Sequence, residues 1–445
     1  MIQEKREAND WSELFYIWRE SLHYDQRNKI NGVYIYVIEG IFDNLVINFH
    51  FDFTVFRKHW DEGWNYKLDF GLNGIIFQKC IFKEDVVIDN TKEDASFIKG
   101  CTFEKAIISK GTSNNLLFKN CILNEVNFED GVFGIEEKVN DKKGKVRFHD
   151  CRIQKANFRN TTFHGLADFW KTTFNNRIIF YKTDFLNITV FSAVTFKDNV
   201  LFTYSLFNSK TIFRGTKPEK GMDLSLAIIS GELNLFDLNL KYFKHSEPLT
   251  EEDYEHEVSE VGSIPLKNKQ ETYRILKKKY EAQSDNIRAL DFKYLERTSQ
   301  SRAIAKEIFR AKRYKNEHFL DFIYAKLKAF INQIIHVLNL SSNGYGKSYI
   351  LGLVFTFTLG ILFFSLSLLC TSIYKLSDFT HPFFIIENNV SHFLNFLNPA
   401  HKFNYLGKEF AHKTFYIGFY IWDFVGRIFV GYGIYQTIQA FRKYR

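Results

Sequence analysis

Cysteine is scarce and unpaired in this 445-residue chain: five residues, none in a CxxC spacing. That excludes a disulfide framework, argues against a zinc site and fits a reducing compartment, so the soluble part is expected to be cytoplasmic. Walker, GxSxG, HExxH and Rossmann glycine patterns are all missing. The chain is therefore expected not to be an enzyme and to need no cofactor. A secretory signal is missing as well, because the first apolar cluster is broken by Glu13 and Arg19. Charge of one sign is not in large excess either: 59 Lys plus Arg against 51 Asp plus Glu leave a net +8, modest for the length.

Phenylalanine is what the chain has in quantity, 49 residues. Phe163, Phe169, Phe174, Phe180, Phe185, Phe191, Phe196, Phe202, Phe207 and Phe213 follow one another in alternating steps of six and five. The beat resumes in phase at Leu224, Ile229, Leu235 and Leu240. Neither a strand's period of two nor a helix's 3.6 can hold that register, so it marks a repeat architecture. Upstream the same device runs in plain fives, as in Phe118, Leu123, Phe128 and Phe133, then Phe148, Ile153, Phe158 and Phe163. Two residues before most of these stands a small or medium side chain, among them Cys80, Cys101, Cys121, Cys151, Thr161, Ala167, Thr172 and Thr183.

From about residue 74 to 240 this pattern resembles the pentapeptide-repeat family. The resemblance implies a right-handed quadrilateral β-helix in which each five-residue block forms one side, its centre residue and the residue two before it both pointing inward. Four blocks make a coil, and Cys80, Cys101 and Cys121 lie 21 and 20 residues apart, with Cys151 another 30 on. Removing one polar insertion of about ten residues near 134–145 restores the coil length, which predicts a column of buried, reduced cysteines at the strand spacing of about 4.8 Å. Some family members are soluble DNA mimics. Those need a strongly acidic surface, which this basic chain does not have.

The expected fold is a β-solenoid, then an α-helical linker, then two transmembrane helices. Residues 1–73 read as a cap with an amphipathic helix (Trp11, Leu14, Phe15, Trp18) and strands, residues 74–243 as the β-helix, and 244–345 as a basic linker. Helical spacing predicts a helix, a turn near 284–286, a second helix, and a third from Ser301. Between Lys267 and Lys347 there are 18 Lys plus Arg against 8 Asp plus Glu, a surplus larger than that of the whole chain. Residues 320–340 suit a helix lying in the membrane interface or a buried helix. Residues 346–445 form a two-span module: 349–374 carry no charge and are long enough to cross a core of about 30 Å, and 415–438 form a second span after a loop at 375–414. Basic residues before the first span and after the second place both termini in the cytoplasm, as in a bacterial inner membrane.

Asp423 and Arg427, four apart in the second span, sit where an unpaired charge costs roughly 3 kcal/mol or more. They read as a structural ion pair holding the subunits together or as pore and gating residues, and Gly426, Gly431 and Gly433 beside them allow close helix approach. The loop stretch 390–406 is apolar enough to dip back into the membrane, which resembles the pore module of two-span channels, although no TVGYG filter occurs. His381, His392, His401 and His412 in that loop read as scattered loop residues, with a metal ring or pH sensor as the alternative. Candidate ligand-binding cations are Lys142, Lys143 and Lys145 in the insertion and Lys277, Lys278, Lys279, Arg310, Lys312 and Arg313 in the linker.

The layout is similar to the membrane effectors of bacterial antiviral systems, those of the Hailong system among them. That resemblance implies a homo-oligomeric channel, most simply a tetramer, gated by a nucleotide or a single-stranded oligodeoxynucleotide, with a cognate defence protein as a further partner. The alternative is a membrane-anchored scaffold whose solenoid wall binds a protein.

Overall fold

Side chains on the five-residue beat lie one above another. The computed structural model describes residues 5–21, 27–30, 33–64, 71–89, 94–113, 115–134, 144–310, 319–374, 384–407 and 412–442, which fall into two units, Met1–Ile275 and Leu276–Arg445. In the first unit each coil pairs in parallel with the next, setting Phe77 beside Phe97, Phe97 beside Phe118 and Phe118 beside Phe148. Their rings stack with centroids 5.2, 4.9 and 4.8 Å apart, and the column runs on through Phe169, Phe191 and Phe213 at 5.6, 5.2 and 5.1 Å. Other columns hold Phe158, Phe180 and Phe202 (5.4 and 5.0 Å), Phe163, Phe185 and Phe207 (5.3 Å each), and Phe174 and Phe196 (5.2 Å). Four columns correspond to four sides of a coil.

The residue two before each centre turns inward too, and it ties one coil to its neighbour. Thr161, Thr183 and Thr216 each donate a hydroxyl hydrogen bond of 2.7 Å to the carbonyl oxygens of Phe128, Phe158 and Phe191. Cys101, Cys121 and Cys151 do the same with their thiols, to Phe77, Phe97 and Phe118 at 3.2–3.4 Å. The expected cysteine column is therefore present, all four members buried and free. The Cys80 and Cys121 thiols are held well above the usual range, first by their contact with Cys101 and then by burial.

The insertion leaves the coil through a neck of two glycines. Gly134 and Gly144 both have positive φ (+91° and +77°) and touch, so that a Cβ on Gly144 would overlap the Gly134 backbone. Ten residues can then be added without shifting Phe118 from Phe148. Lys142 and Lys143 lie outside the described residues.

Both ends of the aromatic core are covered. Parallel pairing begins upstream of Gly74: Phe42 stacks on Phe77 at 4.9 Å, and Leu45–Ile47 lies between Arg6–Ala8 and Ile81–Phe82. Helix α1 (Trp11–Ser21) sets Trp11 5.0 Å from Phe51, and α2 (Phe53–Trp64) adds Phe56 beneath it. At the other end stand α3 (Glu251–His256), a short π turn and the start of α4 (Leu266–Ala282). There the buried Asp223 carboxylate accepts from Asn268 Nδ2 (2.9 Å) and Thr272 Oγ1 (3.1 Å). Lys269, also buried, donates to the Phe243 carbonyl under the Tyr242 ring, and burial lowers it to about 8.

The second unit is helical: α5 (Asn286–Arg310), α6 (Phe319–Asn343), α7 (Tyr349–Leu369), α8 (Phe384–Glu387), α9 (Val390–Phe396) and α10 (Ile417–Phe441). A third linker helix starting at Ser301 does not exist as a separate element, because α5 runs straight through it. Thr298 and Ser299 bond back within α5, donating to the Tyr294 and Leu295 carbonyls at 2.8 and 2.9 Å. Helix α6 turns three polar residues to neighbours, Gln333 to Ser301 (3.1 Å), His336 to Tyr345 (3.1 Å) and Asn343 to Gln436 (2.5 Å), while Asp321, Lys328 and Asn332 are exposed. Its apolar ones, including Leu320, Tyr324, Leu327, Ile331 and Ile335, are exposed.

Phe191→Ala removes a ring stacked on both sides and is expected to cost about 3–5 kcal/mol, whereas Phe236→Ala, at an exposed ring, should cost under about 0.5 kcal/mol. Thermal melting followed by the β-sheet circular dichroism signal distinguishes the two.

Candidate functional site

Helices α7 and α10 are long and apolar enough to cross a membrane, and only 33% and 28% of their most apolar stretches are buried. Core helices of a water-soluble protein would be mostly covered, so these expose apolar surface as spans do. They pack on each other through small residues. Gly352 on α7 receives Thr437 of α10, and Gly433 on α10 receives Thr356 of α7, each so closely that a Cβ would overlap the threonine hydroxyl.

The segment between them turns back along both helices. Phe393 and Phe396 of α9 are buried against Phe364 of α7, at centroid distances of 5.5 Å. Leu397 comes within 2.7 Å of where a Gly360 Cβ would stand, and Pro399 within 3.6 Å of that of Gly431. Gly431 is fourteen residues into α10, so at 1.5 Å per residue the tip reaches about 21 Å along the span. The three glycines noted in the second span therefore each admit a neighbour: Phe363 and Phe396 at Gly426, Pro399 at Gly431, Thr356 at Gly433.

Beside this segment lies the one fully buried carboxylate of the described spans. Asp423 is 0% exposed and its two oxygens are divided between Arg427 and His401. Arg427 Nε donates to Oδ2 at 2.8 Å, and Nη2 lies 2.7 Å from the same oxygen but off the hydrogen-bond direction. The guanidinium also sits 4.1 Å over the Phe403 ring. His401 Nε2 is 2.8 Å from Oδ1, while its Nδ1 is 2.7 Å from the Asn398 carbonyl oxygen. A carbonyl and a carboxylate can only accept, so the ring serves both when it carries two protons. The cluster fastens the turned-back segment to α10, and Arg427, with 19% of its side chain exposed, reaches the surface.

Asp423 and Arg427 are thus brought together, as their spacing implied, and the third partner is His401, one of the four loop histidines. A signal for it existed: a carboxylate at span depth has two oxygens to satisfy, and one arginine covers one of them. His392 is half-buried, His412 is exposed, and His381 lies outside the described residues. Among the ligand-binding candidates, Lys277 pairs with Glu296 at 2.7 Å in a largely buried contact. Lys278 is exposed, Lys279 is half-buried, and Lys145 gives its backbone N–H to Asn115 Oδ1 at 2.9 Å. The Arg310 side chain and the whole of Lys312 and Arg313 fall outside the description. Near Lys277, burial and then Arg297 hold Lys293 below the usual amine range. On the solenoid wall an open groove of about 440 Å³ is lined by Asp168, Trp170, Ser192, Arg214 and Phe236. Arg214 lies 5.8 Å from the Phe236 ring and Lys171 4.5 Å from that of Trp170.

The parallel coils are those of a pentapeptide-repeat β-helix, followed by helices that include two apolar enough to span a membrane. A family model of pentapeptide repeats (9 copies) matches residues 143–183. No curated protein and no solved structure matches the chain.

Asp423→Asn takes the anion from Arg427 in a buried contact and is expected to destabilise the helical unit by about 3–5 kcal/mol. Lys413→Gln, at an exposed loop position, should change little. Thermal unfolding of the detergent-solubilised protein measures both.

Proposed function

We propose that the chain is a subunit of an oligomeric ion channel in a bacterial cytoplasmic membrane. Its β-helix senses an anionic nucleotide or oligonucleotide signal in the cytosol, in the manner of an anti-phage effector such as those of the Hailong system. The turned-back segment carries this reading. Irregular backbone at membrane depth is tolerated where it is buried in protein or lines water, yet Asn395, Asn398, Lys402 and Asn404 are exposed along it. Lipid is a poor neighbour for such groups, and copies arranged about a water-filled axis supply a good one.

Two further observations support the arrangement. Helix α6, with its exposed apolar residues, joins α7 through the turn at 344–348, which suits a helix lying in the membrane interface with Lys326 and Lys328 towards anionic headgroups. The wall groove offers the flat rings of Trp170 and Phe236 and one cation, Arg214, beside the carboxylates Asp168 and Asp237; a ring and a guanidinium together can stack on a base and pair with a phosphate.

Proteoliposomes containing the purified protein test the reading through ion flux with and without short oligodeoxynucleotides. Flux is expected to depend on the oligonucleotide and, in an Asn404→Cys variant, to be blocked by a water-soluble thiol reagent. No flux under either condition, from protein that stays monomeric in detergent, would overturn it.

A further inference from the structure

We infer that Lys402 sets the charge selectivity of the pore and makes it favour small inorganic anions; the inference rests on the pore reading above. This residue is held firmly. His401, directly before it, is fixed to Asp423 and to the Asn398 carbonyl. Phe403, directly after it, lies under the Arg427 guanidinium at 4.1 Å and against the Tyr420 ring at 5.6 Å. The backbone at Lys402 is therefore clamped on both sides to α10, and its own side chain is exposed.

Depth gives that exposure its meaning. Asp423 and Arg427 are six and ten residues into α10, about 9 and 15 Å along it, and Lys402 sits between the residues that bind them. An ammonium in the middle of a bilayer faces other protein or water. Among the described residues at this level the only carboxylate is Asp423, which is fully buried and already shared between Arg427 and His401. Among the described residues no further anion stands at that depth to neutralise Lys402. Repeated around an axis, it forms a ring of positive charge facing water, the arrangement that draws anions and repels cations. Between Leu394 and Asn404 the other exposed polar side chains, Asn395, Asn398 and Asn404, are neutral, and the exposed carboxylate Glu387 stands earlier in the segment, on α8, so the sign of the lining at this level follows from Lys402, with Arg427 at its edge.

The experiment is the reversal potential of the reconstituted full-length protein across a potassium chloride gradient, for the wild type, Lys402→Gln and Lys402→Glu. Subunit assembly of each is checked by native mass spectrometry. The wild type is expected to reverse towards the chloride equilibrium potential, K402Q closer to zero, and K402E on the potassium side, all three with the same subunit number. A conducting wild type that prefers potassium, a K402E reversal potential unchanged from wild type, or loss of assembly in both variants would overturn the role of Lys402 while leaving the channel standing. A wild type that never conducts would overturn the pore reading itself.

Discussion

A match between two lengths underlies the first unit. Neighbouring strands in a sheet lie about 4.8 Å apart, and stacked rings in this chain lie 4.8–5.6 Å apart along the longest column. Each coil can therefore add one phenylalanine to each column without bending the backbone ladder. The threonine and cysteine hydrogen bonds to neighbouring carbonyls use the same spacing. The consequence is a wall whose outer positions are set by an interior that hardly varies, so that the groove at Trp170 and Phe236 is presented on a stiff frame.

In the second unit the governing constraint is the opposite one, the cost of a charge away from water. A single carboxylate, Asp423, is held at span depth between Arg427 and His401. The same contact that neutralises it brings irregular backbone along α10 for about 21 Å. That segment leaves Asn395, Asn398, Lys402 and Asn404 exposed. Helix α6 sets Gln333, His336 and Asn343 against protein and leaves apolar residues such as Leu320, Tyr324 and Ile331 exposed.

Much of the solenoid was legible because it is periodic. Ten phenylalanines in alternating fives and sixes allow few other folds, and the spacing of Cys80, Cys101, Cys121 and Cys151 located both the column and the insertion. The upstream rung at Phe42 was not legible, since one coil interrupted by α2 shows no period. The Asp423–Arg427 pair could be read from an i, i+4 spacing, whereas His401 lies 22 residues away in another element and is joined only by the fold. The separate helix expected from Ser301 is the second part of α5, whose Thr298 and Ser299 hydroxyls bond back within the helix. For α6 the amphipathic pattern left two environments open, and only the side that its polar residues face distinguishes them.

The central claim is that α7 and α10 cross a lipid bilayer and hold the turned-back segment within it. Extraction of membranes from cells expressing the full chain, with alkaline carbonate, tests this most directly, because it strips peripheral proteins and leaves spanning ones behind. The account predicts that the protein stays in the membrane pellet and leaves only with detergent. Recovery of folded monomer in the carbonate supernatant would contradict it.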